Sequence, residues 1–209
     1  MKERPILFST LMMQALLAGN KTQTRRVVKE PYQSYPCVTK HLTSCEFDFH
    51  YDHGVGQFTA SPYGKLGDIL WVREAWGLQR SDFEPMDVPF YCYKADDETY
   101  LPKWHPSIFM PKAACRIKLQ ITDMRIERVQ NISEGNAVAE GIERDREGWK
   151  SYEIIHMGKH KGEKNPHSYV PNRSPITSYK ELWESINGIG SWEKNPWVWC
   201  ITFVKHKVS

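Results

Sequence analysis

Apolar and polar positions divide the chain into a short series of elements. Pro5 to Phe8 is a brief apolar run that reads as a first strand. Thr10 then stands as the N-cap of a helix over LMMQALLA, and Gly19 closes it at the left-handed position that commonly follows a helix. That helix is apolar on nearly every side, so it is expected to be buried, with residues 20–26 at the mouth of whatever it packs against. Ile69 to Arg73 and Phe90 to Lys94 read as strands. Between Ala114 and Val129, Ile117, Leu119 and Ile121 alternate with Arg116, Lys118 and Gln120, the pattern of a half-buried strand or hairpin with a cationic outer face. Ser133 is the predicted cap of a helix from Glu134 to Glu140, which Gly141 ends. A last helix, Ser178 to Ile186, turns Leu182, Trp183 and Ile186 inward until Gly188 and Gly190 break it, and Trp197 to Lys205 is an alternating terminal strand.

Two stretches lack a period. Residues 29–66 are rich in Pro, Tyr, Ser and His and end in the turn-like Ser61-Pro62-Tyr63-Gly64, and residues 143–174 are charged and interrupted by Gly and Pro. Both read as insertions, at about 30–60 and 143–174, in a single domain spanning 1–209. The order of elements predicts an α+β fold, a small mixed barrel or curved sheet with helices at its ends.

Composition narrows the function classes. A formal charge of +3 over 209 residues permits a nucleic-acid partner without requiring one. Five scattered cysteines with no CxxC pair suit reduced thiols in a cytoplasmic protein. The start, MKER followed by PILFSTLMMQALLAG, has the outline of a signal peptide, but Ser9, Thr10 and Gln14 interrupt it and no small-residue cleavage pattern follows. Secretion is therefore not expected, and Asn20-Lys21-Thr22 and Asn131-Ile132-Ser133 are chance matches to a glycosylation pattern. No run approaches the roughly 18 apolar residues needed to span a bilayer, so no membrane association is expected. Eight Trp and ten Tyr serve mainly as packing, leaving a minority to stack on a base.

Chemistry concentrates in Gly19-Asn-Lys-Thr-Gln-Thr-Arg-Arg26, where two hydroxyls and three cations follow directly on the helix. Lys21 and Thr24 pair a candidate base with a candidate nucleophile, and Arg25 and Arg26 offer forked donors for phosphate or carboxylate. A solvated basic turn is the plain alternative. Conformation decides between them: in an extended strand Lys21 and Thr24 point to opposite faces, and Thr22, Thr24 and Arg26 form a binding row without a base. The segment is not a P-loop, which precedes its helix, and Asn187-Gly-Ile-Gly190 is too short and wrongly placed for a dinucleotide fingerprint. Cys37, His41, Cys45, His50 and His53 have spacings that zinc tolerates but match no compact finger or ribbon. His156, His160 and His167 are weaker still, so no metal or other cofactor is expected.

The segments LLAGNKTQTRR, GDILWVRE, RIERVQNISEGNAVAEGI and LWESINGIGSW…NPWVWCITF, in this order, closely resemble the ASCH domain family, and within it the phage and prophage members with long insertions and a Trp-rich C-terminus. The resemblance implies a PUA-like fold, a small β-barrel with flanking helices that frame a cleft. Some small bacterial ASCH proteins are amidohydrolases that deacetylate N4-acetylcytidine with a Lys base, a Thr nucleophile and a Glu acid. The matching positions are Lys21, Thr24 and Glu140. Arg26 matches a cationic cleft residue, and Thr22, Arg25, Arg73 and Glu74 are taken as cleft or rim residues, with a surface ion pair as the plain reading of Arg73 and Glu74. The expected ligand is a nucleoside, nucleotide or single-stranded RNA segment. The competing class is a non-catalytic RNA- or DNA-binding module, or a ribonuclease, of phage origin. The chain is about twice as long as the minimal acetylcytidine enzymes, and nothing in its sequence identifies a protein partner.

Overall fold

The computed structural model describes residues 1–40, 46–51, 56–79, 89–96, 103–152 and 173–206. In chain order the strands and helices are β1 (Glu3–Leu7), α1 (Thr10–Leu17), β2 (Gln23–Val27), β3 (Cys37–Lys40), β4 (Glu46–His50), β5 (Gln57–Ala60), β6 (Ile69–Arg73), β7 (Trp76–Gln79), β8 (Phe90–Tyr93), β9 (Lys118–Arg128), α2 (Glu134–Ala139), β10 (Arg144–Asp145), β11 (Gly148–Trp149), α3 (Pro175–Asn187) and β12 (Trp197–Lys205). The fold is mixed α+β and mostly sheet.

A five-stranded sheet in the order β1-β6-β9-β12-β2 forms the frame. β1 runs parallel to β6, and the other neighbours are antiparallel. β12 is buried on both faces. Trp197, Trp199, Ile201 and Phe203 enter one apolar cluster with Ile6, Phe8 and Met13, while Val198 and Cys200 enter a second with Tyr179, Leu182 and Trp183 of α3. The two-residue period of a strand thus divides one segment between two cores. The ladder of β9 with β12 shifts register between Thr202 and Phe203, where Asp123 and then Ile121 are the partners. This bulge changes the phase of β9, so Leu119, Ile121 and Met124 are all buried in one cluster.

Several boundaries differ from expectation for local reasons. Ser9, not Thr10, caps α1, its side chain accepting from the Met12 backbone N–H. Leu11 and Leu17 stay exposed, so α1 buries one side only. α3 begins three residues earlier than its apolar pattern, because Ser174 caps it and Pro175 fits the first turn. Ile186, expected inward, is exposed. The span 29–66, read as an insertion, holds the antiparallel sheet β3-β4-β5. Phe47 and Phe49 of that sheet are buried in the main cluster, set edge-on to Trp199 and Trp197 at ring separations of 5.2 and 6.1 Å. Glu46 to His50 alternates too briefly to stand out among polar neighbours. β10 and β11 form a short hairpin at the start of the second expected insertion, whose residues 153–172 lie outside the described set. Among the described residues no helix is long and apolar enough to cross a membrane.

Candidate functional site

The centre of the site forms where the segment between α1 and β2 meets the end of α2. The Lys21 N–H bonds to Ala15 O at 3.2 Å, the Thr22 N–H to Ala139 O at 2.8 Å, and Lys21 forms an isolated antiparallel bridge with Glu140. Glu140 is the C-cap of α2, and Gly141 turns the chain with φ +95°. A Cβ on Gly141 would lie 2.7 Å from Ala15 Cβ and 3.2 Å from Lys21 Cβ, so only glycine lets the backbones approach this closely.

Lys21 Nζ donates to Gln23 O, Glu140 O and Glu140 Oε2, each at 2.8 Å, so every proton of the ammonium has an acceptor. Glu140 Oε1 accepts from Arg25 Nη1 at 3.0 Å. Arg25 also donates to Glu127 Oε1 from Nη2 at 2.6 Å and from Nε at 3.2 Å. The Lys21 and Arg25 side chains are 0% exposed and that of Glu140 2%. Two buried cations therefore face two carboxylates, and their charges cancel.

Burial holds the Lys21 amine below its ordinary pKa, against the opposing pull of Glu140. Burial also opposes the Arg25 charge, but the acidic groups around it win and its pKa is raised. Glu127 is raised by burial and lowered more by its bonds to Arg25 and Arg125, so it stays below the usual carboxylate range.

Thr24 is fully buried, and its Oγ1 has no hydrogen-bond partner among the described residues. Lys21 Nζ is therefore out of hydrogen-bond reach. The cause is the extended backbone of β2, which sends alternate side chains to opposite faces, so Gln23 and Arg25 reach the Glu140 side while Thr24 does not. Arg26 is half-buried, donates to Leu7 O at 2.6 Å and Arg25 O at 3.0 Å, and lies 5.5 Å from the Phe8 ring centroid. It forms no ion pair with a described residue. Through Leu7, Arg26 ties β2 to β1, the two borders of the main sheet.

The remaining expected residues lie apart from this centre. Thr22 is exposed and faces a separate depression beside Gly19 and Lys205. Arg73, at the end of β6, stacks 5.3 Å from the Trp71 ring and donates to Ile108 O. Glu74 turns inward, as the next residue after a strand end does, and is 1% exposed against Arg116, whose Nε and Nη2 reach its two oxygens at 2.8 and 2.9 Å. Arg73 and Glu74 therefore form no surface ion pair. The cationic face expected of β9 is likewise matched by acids. Arg116 holds Glu74 and Asp96, Lys118 pairs with Glu3, and Arg125 pairs with Glu127.

A cavity of about 340 Å³ reaches the Arg25 and Glu140 side of this centre; Lys21 and Thr24 are not among its lining residues, and Lys21 instead borders the depression that Thr22 faces. Arg25, Arg26 and Glu140 contribute the charged lining of the cavity, Leu7, Phe8 and Met12 one wall, and Tyr179, Leu182, Trp183 and Ile186 of α3 the opposite wall. Tyr179 and Glu127 were not anticipated. Tyr179 lies one helical turn before Leu182 and Trp183, so the period that placed those two inward also selects it, whereas Glu127 sits beyond the β9 bulge. Of the Cys and His residues weighed for zinc, Cys37 and His50 are register partners on β3 and β4. His41, Cys45, His53, His156, His160 and His167 lie outside the described residues. Among the described residues no group of three or more His, Cys, Asp or Glu side chains is placed to hold a metal ion. Comparison with protein-family models, with curated proteins and with solved structures found no match to this chain.

Proposed function

We propose that the chain is an ASCH-type protein with a PUA-like curled sheet, and that it binds a nucleoside in the 340 Å³ cavity and hydrolyses an acylated cytosine-type amide there. One observation carries the reading: Glu140, buried and hydrogen-bonded to Lys21 Nζ, lines a cavity with aromatic walls. In the first step Thr24 Oγ adds to the amide carbonyl carbon, its proton passes to the Lys21 amine, and the carbonyl π pair moves to oxygen. Collapse of that adduct breaks the C–N bond, Glu140 protonates the departing amine, and water then hydrolyses the Thr24 ester. The reading requires substrate binding to bring Lys21 Nζ to Thr24 Oγ1. The curled sheet is supported by the Arg26 bond between the β1 and β2 borders.

A small neutral ligand fits better than a polyanion, because Lys21 and Arg25 are already matched by carboxylates and a phosphate would meet Arg26 alone. The test is to incubate the protein with N4-acylated cytidines and short RNAs, comparing wild type with Lys21→Ala. Release of the acid and cytidine by wild type only is the expected result. Salt-sensitive RNA binding with no product would replace it with the non-catalytic binding module.

A further inference from the structure

Amide hydrolysis requires hydrogen-bond donors for the oxygen that gains charge, and Lys21 and Arg25 are already committed to carboxylates. Of the neutral donors that α3 presents to the same cavity, Asn187 is engaged with Trp183 O at 3.0 Å, which leaves Tyr179 and Trp183. Tyr179 and Trp183 are four residues apart, hence on one face of the helix, and both line the cavity. The Trp183 indole Nε1 is buried with no acceptor among the described residues. A buried N–H without a partner costs free energy, so its place at a cavity wall points to an acceptor supplied by the ligand. No described residue accepts a hydrogen bond from the Tyr179 hydroxyl. Burial, and next the Glu140 carboxylate, push the Tyr179 pKa well above that of an ordinary phenol, so the group keeps its proton throughout the neutral range.

We infer that Tyr179 and Trp183 form an acceptor-binding wall, whose O–H and N–H hydrogen-bond to the carbonyl oxygen of the bound amide and hold it as it becomes an oxyanion. This rests on the amidohydrolase reading and assigns the component that the Lys21, Thr24 and Glu140 trio lacks. No atom is transferred to or from either side chain.

Two probes test the wall in the full-length chain: N4-acetylcytidine, and N4-ethylcytidine, which keeps the ring carbonyl but lacks the acyl carbonyl oxygen. Affinities are measured in a Thr24→Val background to prevent turnover. The acetyl compound should bind more tightly, and Tyr179→Phe and Trp183→Phe should each reduce its affinity about tenfold while leaving the ethyl compound unchanged. With Thr24 restored, each variant should lower kcat on N4-acetylcytidine more than it raises KM. Thermal melting confirms folding, and Tyr179→Phe alone decides the matter where Trp183→Phe does not fold. Turnover by wild type with the acetyl preference intact in both variants would overturn the wall and leave the amidohydrolase reading standing. No binding of either probe and no product would overturn both.

Discussion

Lys21 and Glu140, 119 positions apart in sequence, are joined through both backbone and side chain: they bridge as strand partners, and Lys21 Nζ reaches the carbonyl and the carboxylate of the same residue. Glu140 is also shared with Arg25, so its loss strands two buried cations. Glu140→Gln should cost about 3–5 kcal/mol in denaturant unfolding. Lys21→Met, which leaves Arg25 paired with Glu140, should cost clearly less. Equal losses would show that the two contacts are not unequal in this way.

Thr24 separates stability from chemistry. Its hydroxyl is buried and unpartnered, so Thr24→Val removes a polar group that forms no hydrogen bond and should leave stability unchanged or raised by up to about 1 kcal/mol. The same variant should abolish acid release from N4-acetylcytidine. Retained turnover would remove Thr24 as the nucleophile.

Gly141 combines a positive φ with close approach to α1 and Lys21. Gly141→Ala is expected to destabilise the chain by about 1–3 kcal/mol, read from urea midpoints. It should also lower turnover, because the collision displaces Lys21 relative to Glu140.

Phe47 tests whether the β3-β4-β5 sheet belongs to the core. At 1% exposure and edge-on to Trp199, Phe47→Ala should cost about 3–5 kcal/mol. A detachable insertion would lose under 1 kcal/mol.

Glu3, Asp68 and Glu127 all have depressed pKa values and contribute to the acid limb of stability. Hydrogen bonds from Lys112 and Lys118 hold Glu3 down from the ordinary 4.5 to about 2, and Arg25 depresses Glu127. A depressed acid stabilises the fold above its unfolded pKa, and that contribution disappears as pH falls through the folded value. The Glu3 contribution, read by thermal melting, should therefore decline from about pH 4.5 toward 2, and Glu3→Gln should remove that part of the decline. For Lys21 the shift is downward, so turnover should rise with pH through a value below the ordinary 10.5 and lose that limb in Lys21→Ala.

Local signals carried much of the fold. Gly19 and Gly141 adopt the positive φ that their places after helices imply, Ser133 caps α2 as expected, and Trp197 to Lys205 is one strand. Less legible was anything fixed by distant partners. The sheet over residues 37–60 depends on packing two phenylalanines against β12, and the β9 bulge depends on the register of β12. Within the site, the GNKTQTRR segment and Glu140 were visible from residue types and order. The alternation that sends Lys21 and Thr24 apart became evident only with the extended backbone of β2, and the acids that neutralise Arg25 and Lys118 come from positions remote in sequence.

The Arg26 bond to the Leu7 carbonyl bears on assembly as well as on the pocket. It occupies an acceptor on one border of the sheet, unpaired among the described residues, with a donor from the other, so a foreign strand seeking to extend the sheet at that point must first evict a guanidinium stacked on Phe8. The protein thus has its own guard against edge-to-edge association beside the opening through which a ligand would enter.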